Sequence, residues 1–143
     1  MMRGNELQQE YYHASRGGKE YDIVVRLRTD LIFDRIVNPI YYFTSEKEMA
    51  TLSEPSKGLF VPENTLILPY DMHWGGYCDL FALGRPNVMN WYFSQIEHVR
   101  EIFETTHQPL HPETYLKLHM DAKGFKGAIS KEIDCKVTRE LLW

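Results

Sequence analysis

The sequence predicts one domain with a mixed α/β or α+β layout, and three observations lead there. Tyr21 to Phe33, YDIVVRLRTDLIF, alternates apolar and charged side chains with the two-residue period of a strand. From Pro86 to about Glu104, residues Met89, Tyr92, Ile96, Val99 and Phe103 recur at steps of three and four, the period of a helix face. Between these stretches lie short apolar runs punctuated by Gly and Pro, the pattern of small strands joined by loops. At 143 residues the chain has the length of a single domain, 1–143, and is long enough for a real core.

Taken in order, Asn5 to Ser15 predicts a short helix stopped by Gly17 and Gly18. The strand from Tyr21 to Phe33 follows, then a loop punctuated by Pro39. Ser45 with Glu48 has capping-box spacing, which predicts a helix to Leu52. Leu59 to Val61 and Thr65 to Leu68 predict two extended pieces, parted by Pro62, Glu63 and Asn64. Tyr70 to Tyr77, YDMHWGGY, is an aromatic, glycine-containing loop. An apolar run from Asp79 to Leu83 ends at Gly84, and Pro86 suits the first position of the long helix. His111-Pro112-Glu113 opens another helix that Gly124 closes, and Ala128 to Val137 is a last strand.

Composition narrows the function classes. The formal net charge of −4 carries no basic surplus, which argues against nucleic-acid binding. No apolar run approaches the ~20 residues of a membrane span, and the N-terminus lacks the apolar stretch of a signal peptide. Cys78 and Cys135 have no CxxC or Cys/His ligand spacing, which argues against a zinc finger; both read as free thiols of a reducing, cytoplasmic compartment, the alternative being a single disulfide. The six His are dispersed, which disfavours a two-metal phosphohydrolase.

The chemistry concentrates in the first strand. Arg26, Arg28 and Asp30 share one face and Ile23, Val25 and Leu27 the other, the latter expected to be buried in an interior strand. Ligands of open α/β sheets gather at the carboxyl ends of strands, where Asp30 falls. A carboxylate there suits a divalent metal, Mn²⁺ or Mg²⁺, whose other ligands are phosphate oxygens. Arg28 lies two residues earlier, about 6.6 Å along a strand. Its planar guanidinium makes bidentate phosphate contacts. The competing structural reading is a solvent-facing row of salt bridges. For Asp79 and Glu113 it is, respectively, a turn or helix cap and a favourable acid in a first helical turn.

This strand resembles the YDxVxRxRxDLxF strand of a group of GT-A-like glycosyltransferases of large DNA viruses, algae and bacteria. Two later segments add to the resemblance. YCDLFALGRPNVMNWY is similar to D-x-F-x-x-G-x-x-x-x-M-x-x-Y through Asp79, Phe81, Gly84, Met89 and Tyr92. HPETYLKLHMDAKG is similar to hPE-x-x-L-x-x-x-L-x-x-x-G, followed by a strand and an Arg, through Pro112, Glu113, Leu116, Gly124 and Arg139. His119 stands where that pattern has an aromatic or apolar residue.

The resemblance implies a partial GT-A fold, a mixed sheet with flanking helices, lacking the N-terminal nucleotide-binding βαβ unit. It implies transfer of a sugar from a nucleotide-diphosphate sugar to a glycan or other hydroxyl acceptor, with a divalent metal. Asp30 matches the terminal position of the DxD metal site, but Arg-Thr-Asp stands in place of Asp-x-Asp. Arg26 and Arg28 would bind the donor diphosphate, and Asp79 and Glu113 are the candidate catalytic bases. His73, Trp74 and Tyr77 would contact the acceptor or sugar. The alternative is a non-catalytic, degenerate glycosyltransferase fragment that binds a partner subunit or glycan. On either reading, Asp30, Asp79 and Glu113 are expected around one groove, and a homo-oligomer or a partner chain is expected to complete the missing half.

Overall fold

The computed structural model describes residues 21–35 and 59–137, together with residues 10, 11, 42, 43 and 47. The fold is α/β, a mixed sheet with flanking helices. Strands are β1 Val24–Leu27, β2 Leu31–Arg35, β3 Tyr42–Phe43, β4 Leu59–Phe60, β5 Thr65–Leu68, β6 Phe81–Gly84, β7 Lys126–Ile129 and β8 Asp134–Val137; helices are α1 Pro86–Phe93, α2 Gln95–Thr106 and α3 Pro112–Ala122. The main sheet has the order β1-β6-β5-β7. β6 runs antiparallel to β1 and β5, and β7 parallel to β5. β2 and β8 form a separate antiparallel ribbon, and β3 and β4 a short parallel pair.

Alternation along β5 builds both halves of the core. Leu66 and Leu68 face α1 and α3, in a cluster with Val24, Ala82, Val88, Met89, Tyr92, Leu116 and Met120. Ile67 faces the opposite way, among Val61, Phe81, Leu83, Ile133 and Cys135. That second layer is closed by the ribbon, where Phe33 of β2 meets Phe81 edge to face at 5.8 Å. A strand covered on both sides is apolar at consecutive positions, as TLIL is.

Several expectations change on this framework. The stretch from Tyr21 to Phe33 is two strands, not one. A turn at Thr29-Asp30 breaks it, and β2 leaves for the ribbon. Among the described residues β1 is an edge strand and not an interior one, pairing only with β6. Val25 and Leu27 do face the second layer, opposite Leu83 and Phe81. At the sheet edge they nevertheless stay 40% and 53% exposed, while Val24 on the charged face is buried. The last predicted strand is likewise two, β7 and β8, separated by residues 130–133. The predicted elements at 5–15 and 45–52, and the Pro39 loop, fall outside the described residues apart from helical Glu10, Tyr11 and Lys47.

The long helix predicted from Pro86 to Glu104 is interrupted at Ser94. The Trp91 carbonyl accepts from the Ser94 backbone N–H at 3.0 Å and from Ser94 Oγ at 2.8 Å. It also accepts from His119 Nε2 at 2.7 Å, so the acceptor that would continue the ladder is taken. α2 starts afresh after Ser94, with Ile96 and Phe103 72% and 46% exposed rather than on the packed face. The break docks α1 on α3. Trp91 Nε1 donates to the His119 carbonyl at 2.8 Å, and the two rings stack at 4.3 Å. α3 ends as predicted: Gly124 adopts φ 75°, and the N–H of Phe125 reaches back to Met120.

His119 is 1% exposed. Burial pushes its pKa below the ordinary 6.5, with the hydrogen bond to Trp91 opposing and His98 reinforcing the shift. The folded chain then binds fewer protons than the unfolded chain. This contribution to stability is complete above the unfolded pKa and is lost as pH falls below about 6.5. The urea midpoint is expected to drop between pH 7.5 and 5.5, and His119→Phe is expected to flatten that dependence.

Candidate functional site

The loop from Pro69 to Leu80 carries the candidate aromatic residues into place. His73 spans its neck: Nδ1 accepts from the Cys78 N–H at 3.2 Å, so Nε2 carries the proton and donates to the Pro69 carbonyl at 2.7 Å. The loop turns through two left-handed residues, Met72 at φ 70° and Gly75 at φ 81°. Next to it Gly76 lies directly on the α3 backbone, where any Cβ would overlap the Glu113 carbonyl. The Tyr77 N–H donates to that carbonyl at 2.9 Å, and its hydroxyl accepts from the Gly127 N–H at 2.9 Å.

His73 and Tyr77 thus hold the backbone, with both His73 ring nitrogens and the Tyr77 hydroxyl already engaged. Trp74 stands at the loop tip, 69% exposed, and is the one of the three predicted sugar contacts with an open ring.

The charged residues of the first strand gather at its end. Arg28 clamps Asp30 in two bonds, Nε to Oδ1 at 2.9 Å and Nη2 to Oδ2 at 2.6 Å. The Arg28 backbone N–H donates to the Leu80 carbonyl, which brings the pair beside Asp79. The bond to Asp30 raises the Arg28 pKa, with Asp79 adding to the effect. Arg26 enters the helix side of the sheet, next to Tyr92. Burial pushes the Tyr92 hydroxyl up to about 12, with the Arg26 charge opposing and Asp79 reinforcing. Burial likewise raises the Cys78 thiol, and both Asp79 and Glu113 add to that shift. Asp79 and Glu113 therefore share a neighbourhood around Cys78, and Arg26, Arg28 and Asp30 border it.

Two features of this cluster bear on its chemistry. Nη1 of Arg26 is buried and has no hydrogen-bond partner among the described residues. Glu113 is half-buried and paired with His111 Nδ1 at 3.3 Å. The sequence reading missed His111 and Cys78. His111 is two residues from Glu113 across a proline, a spacing with no signature of its own. The matched Arg139 lies outside the described residues.

The metal expectation meets a different arrangement. Both oxygens of Asp30 are engaged by Arg28. Among the described residues no group of three or more His, Cys, Asp or Glu side chains is placed to hold a metal ion. A metal held by Asp30 and by phosphate oxygens would share that carboxylate with Arg28, and the guanidinium charges of Arg26 and Arg28 lie on the same strand end.

No family model, no curated protein and no solved structure matches the chain. Among the described residues no helix is long and apolar enough to cross a membrane.

Two substitutions test the construction of the site. Gly76→Ala forces the loop off α3 and is expected to lower unfolding free energy by about 1–3 kcal/mol, the range for overpacked positions. Arg26→Met removes an unpartnered buried donor and is expected to leave the urea midpoint unchanged or raise it. A marked loss in the second case would make Arg26 a structural residue.

Proposed function

We propose that this chain binds the diphosphate of a nucleotide sugar at the end of β1 and acts as a GT-A-like glycosyltransferase toward a hydroxyl acceptor. The observation that carries the reading is the buried, unpartnered Nη1 of Arg26. An orphaned buried donor costs about 1–3 kcal/mol, and a phosphate oxygen would satisfy it. Support also comes from Arg28 at the strand end and from two carboxylates, Asp79 and Glu113, in the same neighbourhood.

In the reaction, the bond from the sugar anomeric carbon to the diphosphate oxygen breaks, and a bond to the acceptor oxygen forms. Arg26 and Arg28 offset the charge that develops on the departing nucleoside diphosphate. Asp79 takes the acceptor proton. It is preferred over Glu113, whose carboxylate is paired with His111. Trp74 offers its exposed ring to the sugar or acceptor.

Calorimetric titration with nucleotide sugars and with inorganic pyrophosphate, each with and without Mn²⁺, tests the reading. Binding is expected without metal, and to weaken about tenfold or more in Arg26→Met and Arg28→Met. Asp79→Asn is expected to keep binding and lose sugar transfer. Binding that requires Mn²⁺ and vanishes in Asp30→Asn would make Asp30 a metal ligand. Absence of binding, or binding untouched by Arg26→Met, would overturn the proposal. Binding without transfer by the unaltered chain would favour the non-catalytic alternative.

A further inference from the structure

A cavity lies away from the arginines, between α2 and the C-terminal half of α3, with a volume of about 440 Å³. That is within the ~300–1,000 Å³ of small-ligand pockets. Its lining is two-natured. Ile102, Leu118 and Ala122 give it an apolar wall. The polar lining is dominated by acceptors. His98 Nδ1 donates to the Ser94 carbonyl at 3.0 Å, which leaves its Nε2 as an acceptor. His119 Nε2 donates to the Trp91 carbonyl, and the buried ring backs the cavity, stacked on Trp91. The Thr105 hydroxyl spends its proton on the Glu101 carbonyl at 2.7 Å, so toward the cavity it accepts. Glu101 adds a carboxylate, and Lys123, poised 4.8 Å above the Trp91 ring, adds a cationic donor.

We infer that this cleft is a binding site for a neutral saccharide. The lining selects for a ligand rich in hydroxyl donors that also carries an apolar C–H face, and a sugar ring has both. A purely apolar ligand would leave the half-buried His98 Nε2 without a donor. An organic cation would meet Lys123. The site does not rest on the diphosphate reading and involves none of its residues.

The test is calorimetric titration of the full chain with a panel of neutral disaccharides, with spermidine, indole and Zn²⁺ as separate arms. Saturable saccharide binding is expected, with a dissociation constant in the millimolar range or below. His98→Phe keeps the ring and removes the acceptor, and is expected to weaken binding about tenfold. Ile102→Trp and Ala122→Phe fill the cleft from opposite helices, and each is expected to abolish binding; the two together guard against one failing to fold. Arg28→Met is expected to leave the affinity unchanged, which separates this site from the donor site. No saturable saccharide signal, binding that survives both filling variants, or a response only to spermidine, indole or Zn²⁺ would overturn the inference.

Discussion

The contact on which the functional face depends is between two stretches of backbone. Gly76 sits against the first turn of α3 so closely that no side chain fits between them. The Tyr77 N–H seals the contact on the Glu113 carbonyl, and the Tyr77 hydroxyl ties the same residue to β7. His73 fixes the neck, accepting at Nδ1 from the Cys78 N–H and donating from Nε2 to the Pro69 carbonyl. A loop held at three points positions like a strut, and this one brings Cys78 and Asp79 to the start of α3. Without it, Glu113 and Asp79 would have no reason to share a neighbourhood.

Electrostatically the face is a compromise between pairing and availability. Arg28 and Asp30 are satisfied by each other at a half-exposed position, where a salt bridge contributes little to stability, about 0–1 kcal/mol. Arg26 is the opposite case, with a buried nitrogen left without a partner. Stability alone gives no account of that choice, because an apolar side chain of similar length would fill the same volume at no hydrogen-bonding cost. Three residues of one strand end thus carry two different burdens, one structural and one unresolved within the folded chain.

Much of this was legible in the sequence, and the failures are instructive. Pro86, Pro112 and Gly124 act where backbone chemistry says they must, because a missing N–H or a positive φ is a local property. The parity of Arg26 and Arg28 against Val25 and Leu27 was also readable, since alternation is built into a strand. Which parity was covered was not readable, because Val24 is buried by helices far along the chain and Leu27 is left open by an edge. The helix break at Ser94 was invisible for a related reason. It depends on the imidazole of His119 reaching the Trp91 carbonyl, and no local pattern announces that contact. The histidines of the helical cleft were dispersed in the sequence and meet only because α2 packs on α3.

The pairing of strands has a kinetic consequence. β1 finds its only described neighbour in β6, and β2 pairs Leu31 with Val137, near the opposite ends of the described chain. Closing such long loops carries an entropy penalty before any contact repays it, and topologies rich in distant pairings fold slowly. The helices and the turn after α3 rest on short-range contacts and are able to form early. The arginine-bearing strand end is different: it needs β1 home on β6, the ribbon closed and the loop seated on α3. It is complete only when all three are in place, and an anion that bridged its parts would hold them together as a clasp.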